Sequence, residues 1–189
     1  VQYDLELEWE FPNHRFQMFR QIILIADRSA YHADCRGNDA DPTPTPGEIV
    51  EPGQTHFITE DGTPLHHRCW LPVGEPKAVL VLIHGLSEHT GRYEALGQQL
   101  SRAGYAVRGL DLRGHGLSGG DRIFIPSFAV YHDDVAAFLG RVRREHPGKP
   151  LFLFGHSMGG LVVALLATQR DLDLCGLILS AAAVRVSDG

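Results

Sequence analysis

From residue 55 onward, short apolar runs alternate with segments of helical period. Residues 78–83 are continuously apolar and bounded by turn residues, which is typical of a strand buried on both faces, and residues 106–110, 151–154 and 174–179 are shorter or mostly apolar runs that predict further strands. Between them, apolar side chains recur at helical spacing in residues 93–103, 128–146 and 158–169. The regular alternation of strand and helix predicts an α/β fold with right-handed crossovers and a mostly parallel sheet.

The regions on either side of this pattern differ from it. Residues 55–59 and 65–71 enclose Asp61-Gly62, which predicts an N-terminal β-hairpin. Residues 41–53 are rich in proline and are expected to form an extended linker, whereas residues 1–40 show no sustained period. We therefore expect an N-terminal extension and linker over residues 1–53, and the N-terminal part of an α/β domain over residues 54–189.

Composition narrows the class of protein. Hydrophobic residues make up 43% of the 189 residues and charged residues 21%, as in a soluble globular domain. The net charge of −6 without a long basic run argues against nucleic acid as a partner and favours a small uncharged substrate. Three widely spaced cysteines and the lack of a long apolar run predict a reducing, cytoplasmic location, without a disulfide framework or a metal site.

A GxSxG motif, Gly155-His156-Ser157-Met158-Gly159, lies between a buried strand and an apolar helix. This is the position of a nucleophile elbow, a turn so sharp that side chains at Gly155 and Gly159 would collide with neighbouring backbone. The helix N-terminus would favour the negative charge that develops at the serine. The motif alone is a weak signal, but its context predicts Ser157 as a nucleophile.

A second motif, His84-Gly85-Leu86, directly follows the first buried strand. In an α/β-hydrolase the loop at this point supplies a backbone N–H to the oxyanion hole. Leu86 and Met158 are therefore the expected donor pair, and two fixed donors would stabilise a tetrahedral intermediate by several kcal/mol. His84 and Gly85 are expected to shape this loop.

Four blocks extend the similarity beyond these motifs: HGLSEHTGRY (84–93), DLRGHGLSGG (111–120), GHSMGG (155–160) and LILSAAA (177–183). In this order they resemble the monoacylglycerol lipase and lysophospholipase group of α/β-hydrolases, which is similar to serine aminopeptidase S33. The resemblance implies a serine esterase that acts on lipid or other acyl esters without a cofactor. It also implies a lipid-binding cap later in the chain, which would provide any peripheral membrane contact.

The same resemblance sets a limit on this chain, because the group's catalytic order is Ser, Asp, His. No histidine follows Ser157, and the only later acids are Asp171, Asp173 and Asp188. We therefore expect the triad acid and histidine to be absent and the fold to be truncated after the sixth strand. Residues 174–179 would then form an open sheet edge.

Other histidines and acids have simpler structural explanations. His156 is adjacent to the serine on a sharp turn, so its side chain should diverge from it, and His84 and His115 are expected to be structural. His66 and His67 should face opposite sides of a strand. His132, Asp133 and Asp134 open a helix and are expected to form a solvated first turn.

Three functions remain open from the sequence. The first is an acyl-ester hydrolase that works through an acyl-enzyme at Ser157. The second is a related hydrolase that cleaves another ester or an N-terminal peptide bond. The third is a non-catalytic fragment or pseudo-enzyme, which the missing downstream histidine favours.

Overall fold

A computed structural model describes residues 55–183 and the backbone of four short N-terminal strands. The strands are β1 Gln2–Asp4, β2 Glu10–Phe11, β3 His14–Arg15, β4 Gln21–Ile25, β5 His56–Ile58, β6 Pro64–Trp70, β7 Val79–Ile83, β8 Ala106–Leu110, β9 Leu151–His156 and β10 Gly176–Ser180. The helices are α1 Glu94–Arg102, α2 Phe128–Glu145 and α3 Met158–Gln169, with a 3-10 turn at Thr90–Tyr93.

The main sheet has eight strands in the order β1-β4-β10-β9-β7-β8-β6-β5. Its four central strands, β10, β9, β7 and β8, run parallel to one another. The hairpin of β5 and β6 joins β8 in the antiparallel direction. These pairings confirm the predicted α/β fold with a parallel centre and an N-terminal hairpin.

The outer edge of β10 differs from the prediction. β4 pairs with β10 in the antiparallel direction, with Leu24 opposite Ile178 and Ile23 opposite Leu179, and β1 pairs with β4. The expectation of an open edge at residues 174–179 was wrong, because the apolar QIILI segment of β4 takes up the backbone hydrogen bonds of that edge. Residues 41–53 lie outside the described residues, so the proposed linker and domain boundary stay predictions.

Helices cover both faces of the sheet. α2 and α3 pack with β7, β9 and β10 around one core, which includes Phe138, Leu153 and Leu166. α1 packs on the opposite face, where Leu96 and Leu100 lie against Trp70. The predicted site residues lie at the carboxyl ends of β7 and β9, in the loop after β7, the end of β9, the turn at Ser157 and the first residues of α3.

Candidate active site

Ser157 lies on a strained turn between β9 and α3. Its backbone has φ 51° and ψ −117°, a sparsely populated conformation that costs a non-glycine residue about 1–3 kcal/mol. The turn is held at both backbone groups, because Ser157 N–H donates to Ser180 O at 3.0 Å and Ser157 O accepts from Leu161 N–H at 3.1 Å. Ser157 is half-buried, so a substrate can reach it from solvent.

The two glycines of the elbow are required by close packing. A Cβ at Gly155 would lie 2.5 Å from Gly159 O, and a Cβ at Gly159 would lie 2.5 Å from Ile83 O and still closer to His84 O. Since these neighbours are backbone atoms, no side-chain rotation can make room for a methyl group. The spacing of the motif therefore matches the geometry of the turn.

The loop after β7 closes over the elbow. Glu88 N–H donates to Gly85 O at 3.3 Å, which forms a turn over residues 85–88 with Ser87 at φ 56°. A Cβ at Gly85 would lie 3.2 Å from Ser157 Cβ, so the backbone of this loop runs directly beside the serine. The parallel pairing of β7 with β9, which sets Ile83 beside Gly155, brings the two loops together.

His84 is a buried, hydrogen-bonded support for this loop. Leu112 N–H donates to His84 Nε2 at 2.9 Å, so the neutral ring carries its proton on Nδ1, which donates to Gly85 O at 2.7 Å. Complete burial lowers the pKa of His84 to about 4, although the bond to Gly85 opposes this shift. A neutral ring with both nitrogens engaged holds the loop in place.

Two other histidines near the elbow also have hydrogen-bond partners. His156 Nδ1 lies 3.0 Å from Ser180 O and 3.2 Å from Ser180 Oγ, so this ring is engaged with β10. His115 Nδ1 lies 3.0 Å from Arg113 O, and its ring centre is 5.3 Å from that of His84.

Asp111 connects the loop after β8 to the loop after β7. Its Oδ1 accepts from Thr90 N–H at 2.6 Å and from the Thr90 hydroxyl at 2.7 Å, and its Oδ2 accepts from Leu117 N–H at 3.0 Å. Burial alone would raise the pKa of Asp111, but these hydrogen bonds outweigh it and lower the pKa. Sequence reasoning missed this residue, and a lone acid directly after a buried strand was its only signal.

His132, Asp133 and Asp134 lie in the second turn of α2, not the first, and two of them are less exposed than expected. Asp134 is only 2% exposed and accepts two hydrogen bonds from Arg113, at 2.8 and 2.9 Å. His132 is also buried, whereas the Asp133 side chain is 65% exposed. The prediction of a solvated turn was therefore wrong for Asp134 and His132, because Arg113 of the loop after β8 binds Asp134 and the Phe128 ring packs against His132.

The described part of the chain offers neither a metal-binding cluster nor a membrane-spanning helix. No three or more His, Cys, Asp or Glu side chains within that part of the chain are arranged to hold a metal ion. None of its helices is both long enough and apolar enough to cross a membrane.

Several known proteins are similar to this chain in sequence or in fold. The family model described as serine aminopeptidase, S33, matches residues 74–189. The human monoglyceride lipase is 38% identical over 141 residues, which are 75% of this chain and 46% of that protein. A Bacillus subtilis phospholipase is 43% identical over 106 residues, which are 56% of this chain and 40% of that protein.

A solved structure agrees with the sequence relatives. The monoacylglycerol lipase of Paleococcus ferrophilus is 34% identical, with a TM-score of 0.56 over 66% of this chain and 45% of that one. This chain thus spans about half of the length of the relatives that it matches. The family match covers more than half of the chain, and the chain therefore belongs to the serine aminopeptidase S33 family of α/β-hydrolases.

Proposed function

We propose that Ser157 is the nucleophile of a serine hydrolase that cleaves acyl esters. The observation that carries the proposal is the strained Ser157 turn, which has the loop after β7 packed directly beside it. A protein maintains such strain only where the surroundings enforce it, and strained residues of this kind cluster at active sites. The names of the relatives support ester hydrolysis.

The proposed oxyanion donors are the backbone N–H groups of Leu86 and Met158. The peptide between Gly85 and Leu86 is planar and trans, so its C=O and N–H point in opposite directions. Because His84 Nδ1–H binds Gly85 O, it also fixes the direction of the Leu86 N–H. Met158 begins α3, where the helix dipole favours negative charge.

In the proposed reaction, Ser157 Oγ attacks the ester carbonyl and its proton passes to a general base. The tetrahedral oxyanion is stabilised by the two N–H groups, and its collapse releases the alcohol, which takes up the proton. Water then cleaves the acyl-enzyme to give the free acid. The general base is not assigned to any residue of this chain, since no histidine follows Ser157.

We infer that the substrate is an uncharged lipid ester of the monoacylglycerol type. The human and Paleococcus relatives support this class, and the Bacillus phospholipase supports a phospholipid ester, such as a lysophospholipid, as the alternative. The family description also keeps an N-terminal peptide bond as a third substrate to test. Hydrolysis of a monoacylglycerol, a lysophospholipid and an aminoacyl anilide, measured side by side, ranks the three.

Labelling with a fluorophosphonate tests the nucleophile. The wild-type chain should be modified at Ser157 and Ser157→Ala should not be. Ser101→Ala is the matched control, because that hydroxyl bonds Leu71 O far from the elbow. A wild-type chain that reacts no faster than Ser157→Ala would support the second candidate, an inert segment, which the missing downstream histidine favours.

A further inference from the structure

We propose that Glu88 is a positioning residue, whose carboxylate holds the Gly85 N–H and thereby fixes the loop that presents the Leu86 N–H to the oxyanion. This inference rests on the proposed function of Ser157. It concerns a side chain that follows the predicted loop motif by two positions and that neither contributes to the GxSxG turn nor belongs to a triad.

The Glu88 carboxylate is held by several donors. Its Oε2 accepts from Gly85 N–H at 3.0 Å and from the Tyr93 hydroxyl at 2.8 Å, while Oε1 lies 3.7 Å from Arg92 Nε. The side chain is only 18% exposed. Burial acts to raise the pKa of Glu88, but the hydrogen bonds and nearby positive charge lower it overall, so the group is ionised at neutral pH.

Glu88 binds Gly85 at both of its polar backbone groups. The carboxylate accepts from Gly85 N–H, and the Glu88 N–H donates to Gly85 O at 3.3 Å. His84 Nδ1–H binds the same oxygen from the other side. With the orientations of both peptide planes flanking Gly85 fixed, the Leu86 N–H has a single direction.

The position of the carboxylate explains why its charge must be neutralised. A Cβ at Gly85 would lie 3.2 Å both from Glu88 Oε2 and from Ser157 Cβ, so these two atoms flank the same side of Gly85. An unpaired negative charge there would oppose the oxyanion. The donors from Gly85 and Tyr93, with Arg92 nearby, offset that charge while the hydrogen bond to the loop is kept.

The test compares Glu88→Ala with Glu88→Gln. We would measure the second-order rate constant of fluorophosphonate labelling across pH, and the hydrogen exchange rate of the Gly85 amide by NMR. Glu88→Ala should slow labelling about 10–100-fold and speed Gly85 exchange at least about tenfold, as expected when a charge-assisted bond is lost. Glu88→Gln keeps an acceptor oxygen, so it should recover most of both losses and leave the shape of the pH profile unchanged.

Glu94→Ala is the matched control, because this glutamate bonds Gln98 and pairs with Arg68 rather than with the loop. It should change neither readout. If Glu88→Ala does not fold, Tyr93→Phe replaces it. That variant removes the second donor to Glu88 Oε2, and it should speed Gly85 exchange and slow labelling a few-fold.

Three results would contradict these expectations, and each has a different meaning. Unchanged Gly85 exchange in Glu88→Ala, or in Tyr93→Phe if that variant stands in for it, would overturn the proposal. Equal losses of labelling in Glu88→Gln and Glu88→Ala would overturn it too, because they would show that the charge of Glu88 matters rather than its hydrogen bond. If the wild type labels no faster than Ser157→Ala, the proposed function fails, and the exchange rates still decide whether Glu88 holds the loop.

Discussion

The turns after β9 and after β7 both contain a residue with a strained backbone, but different interactions stabilise them. Both follow adjacent parallel strands, and each contains a serine with positive φ, 51° at Ser157 and 56° at Ser87. The turn after β9 is enforced by packing, since Gly155 and Gly159 have no space for a methyl group. The turn after β7 is held by polar side chains, chiefly His84 and Glu88.

This difference predicts how each turn responds to change. A turn held by backbone packing is insensitive to pH but intolerant of added volume. A turn held by an imidazole and a carboxylate accepts small changes of shape but depends on protonation. Substitutions at the two turns should therefore differ in kind as well as in size.

The largest effect is expected at Gly159. Gly159→Ala should lower the free energy of unfolding by about 3 kcal/mol or more, because the new methyl group meets backbone oxygens of Ile83 and His84. Gly148→Ala is the control: Gly148 has φ 68° but open space around it, so only backbone strain of about 1 kcal/mol is added. Urea unfolding of both variants measures the two costs, and a larger loss at Gly148 would contradict the packing argument.

This contrast also explains how much of the site the sequence could predict. Glycines at fixed spacing between an apolar strand and an apolar helix reveal a crowded turn, so Ser157 and its neighbours were predictable. Hydrogen bonds between acidic side chains and the backbone of irregular loops leave no such pattern. The roles of Glu88 and Asp111 depend on the Gly85 and Thr90 backbone, which only the folded chain brings within reach.

The fold likewise divides into features that the sequence of one segment predicts and contacts between distant segments that it does not predict. Short, mostly apolar runs predicted the central strands and their parallel direction, because buried parallel strands have a distinctive composition. The pairing of β4 with β10 was missed, since a five-residue strand that is distant in sequence has no local signal of its partner. The burial of Asp134 was missed for the same reason, as its partner Arg113 lies on another loop.

A smaller effect is expected from pH at His84. Its pKa is about 4 in the folded chain and 6.5 ordinarily, so the unfolded chain takes up a proton first as the pH falls. The stability that depends on a neutral His84 ring is complete above pH 6.5 and is lost as the pH falls from 6.5 towards 4. The pKa shift of His84 alone should lower the free energy of unfolding by about 2 kcal/mol between pH 7 and pH 5.

His67 provides a matched control, because burial lowers its pKa to about 4 as well, yet it packs against Phe138 on the α2 face. His84→Gln and His67→Gln should both flatten the pH dependence of urea unfolding. Of these two variants, only His84→Gln should slow fluorophosphonate labelling at pH 7, by about tenfold, because His84 binds Gly85 O and His67 does not contact that loop. Equal labelling in both variants would contradict the role of the imidazole in this loop.

The smallest effect is expected at Ser87. Ser87→Gly removes left-handed backbone strain of about 1 kcal/mol but increases the entropy of the unfolded chain by a similar amount, so stability should change by less than about 0.5 kcal/mol. Labelling should stay within about threefold of the wild type, because the turn is fixed by the bonds to Gly85 and not by the Ser87 side chain. Urea unfolding and labelling rates measure both. A loss of labelling above tenfold would mean that the shape of this turn depends on its residue at φ 56°, as the elbow does on its glycines, and the contrast between the two turns would disappear.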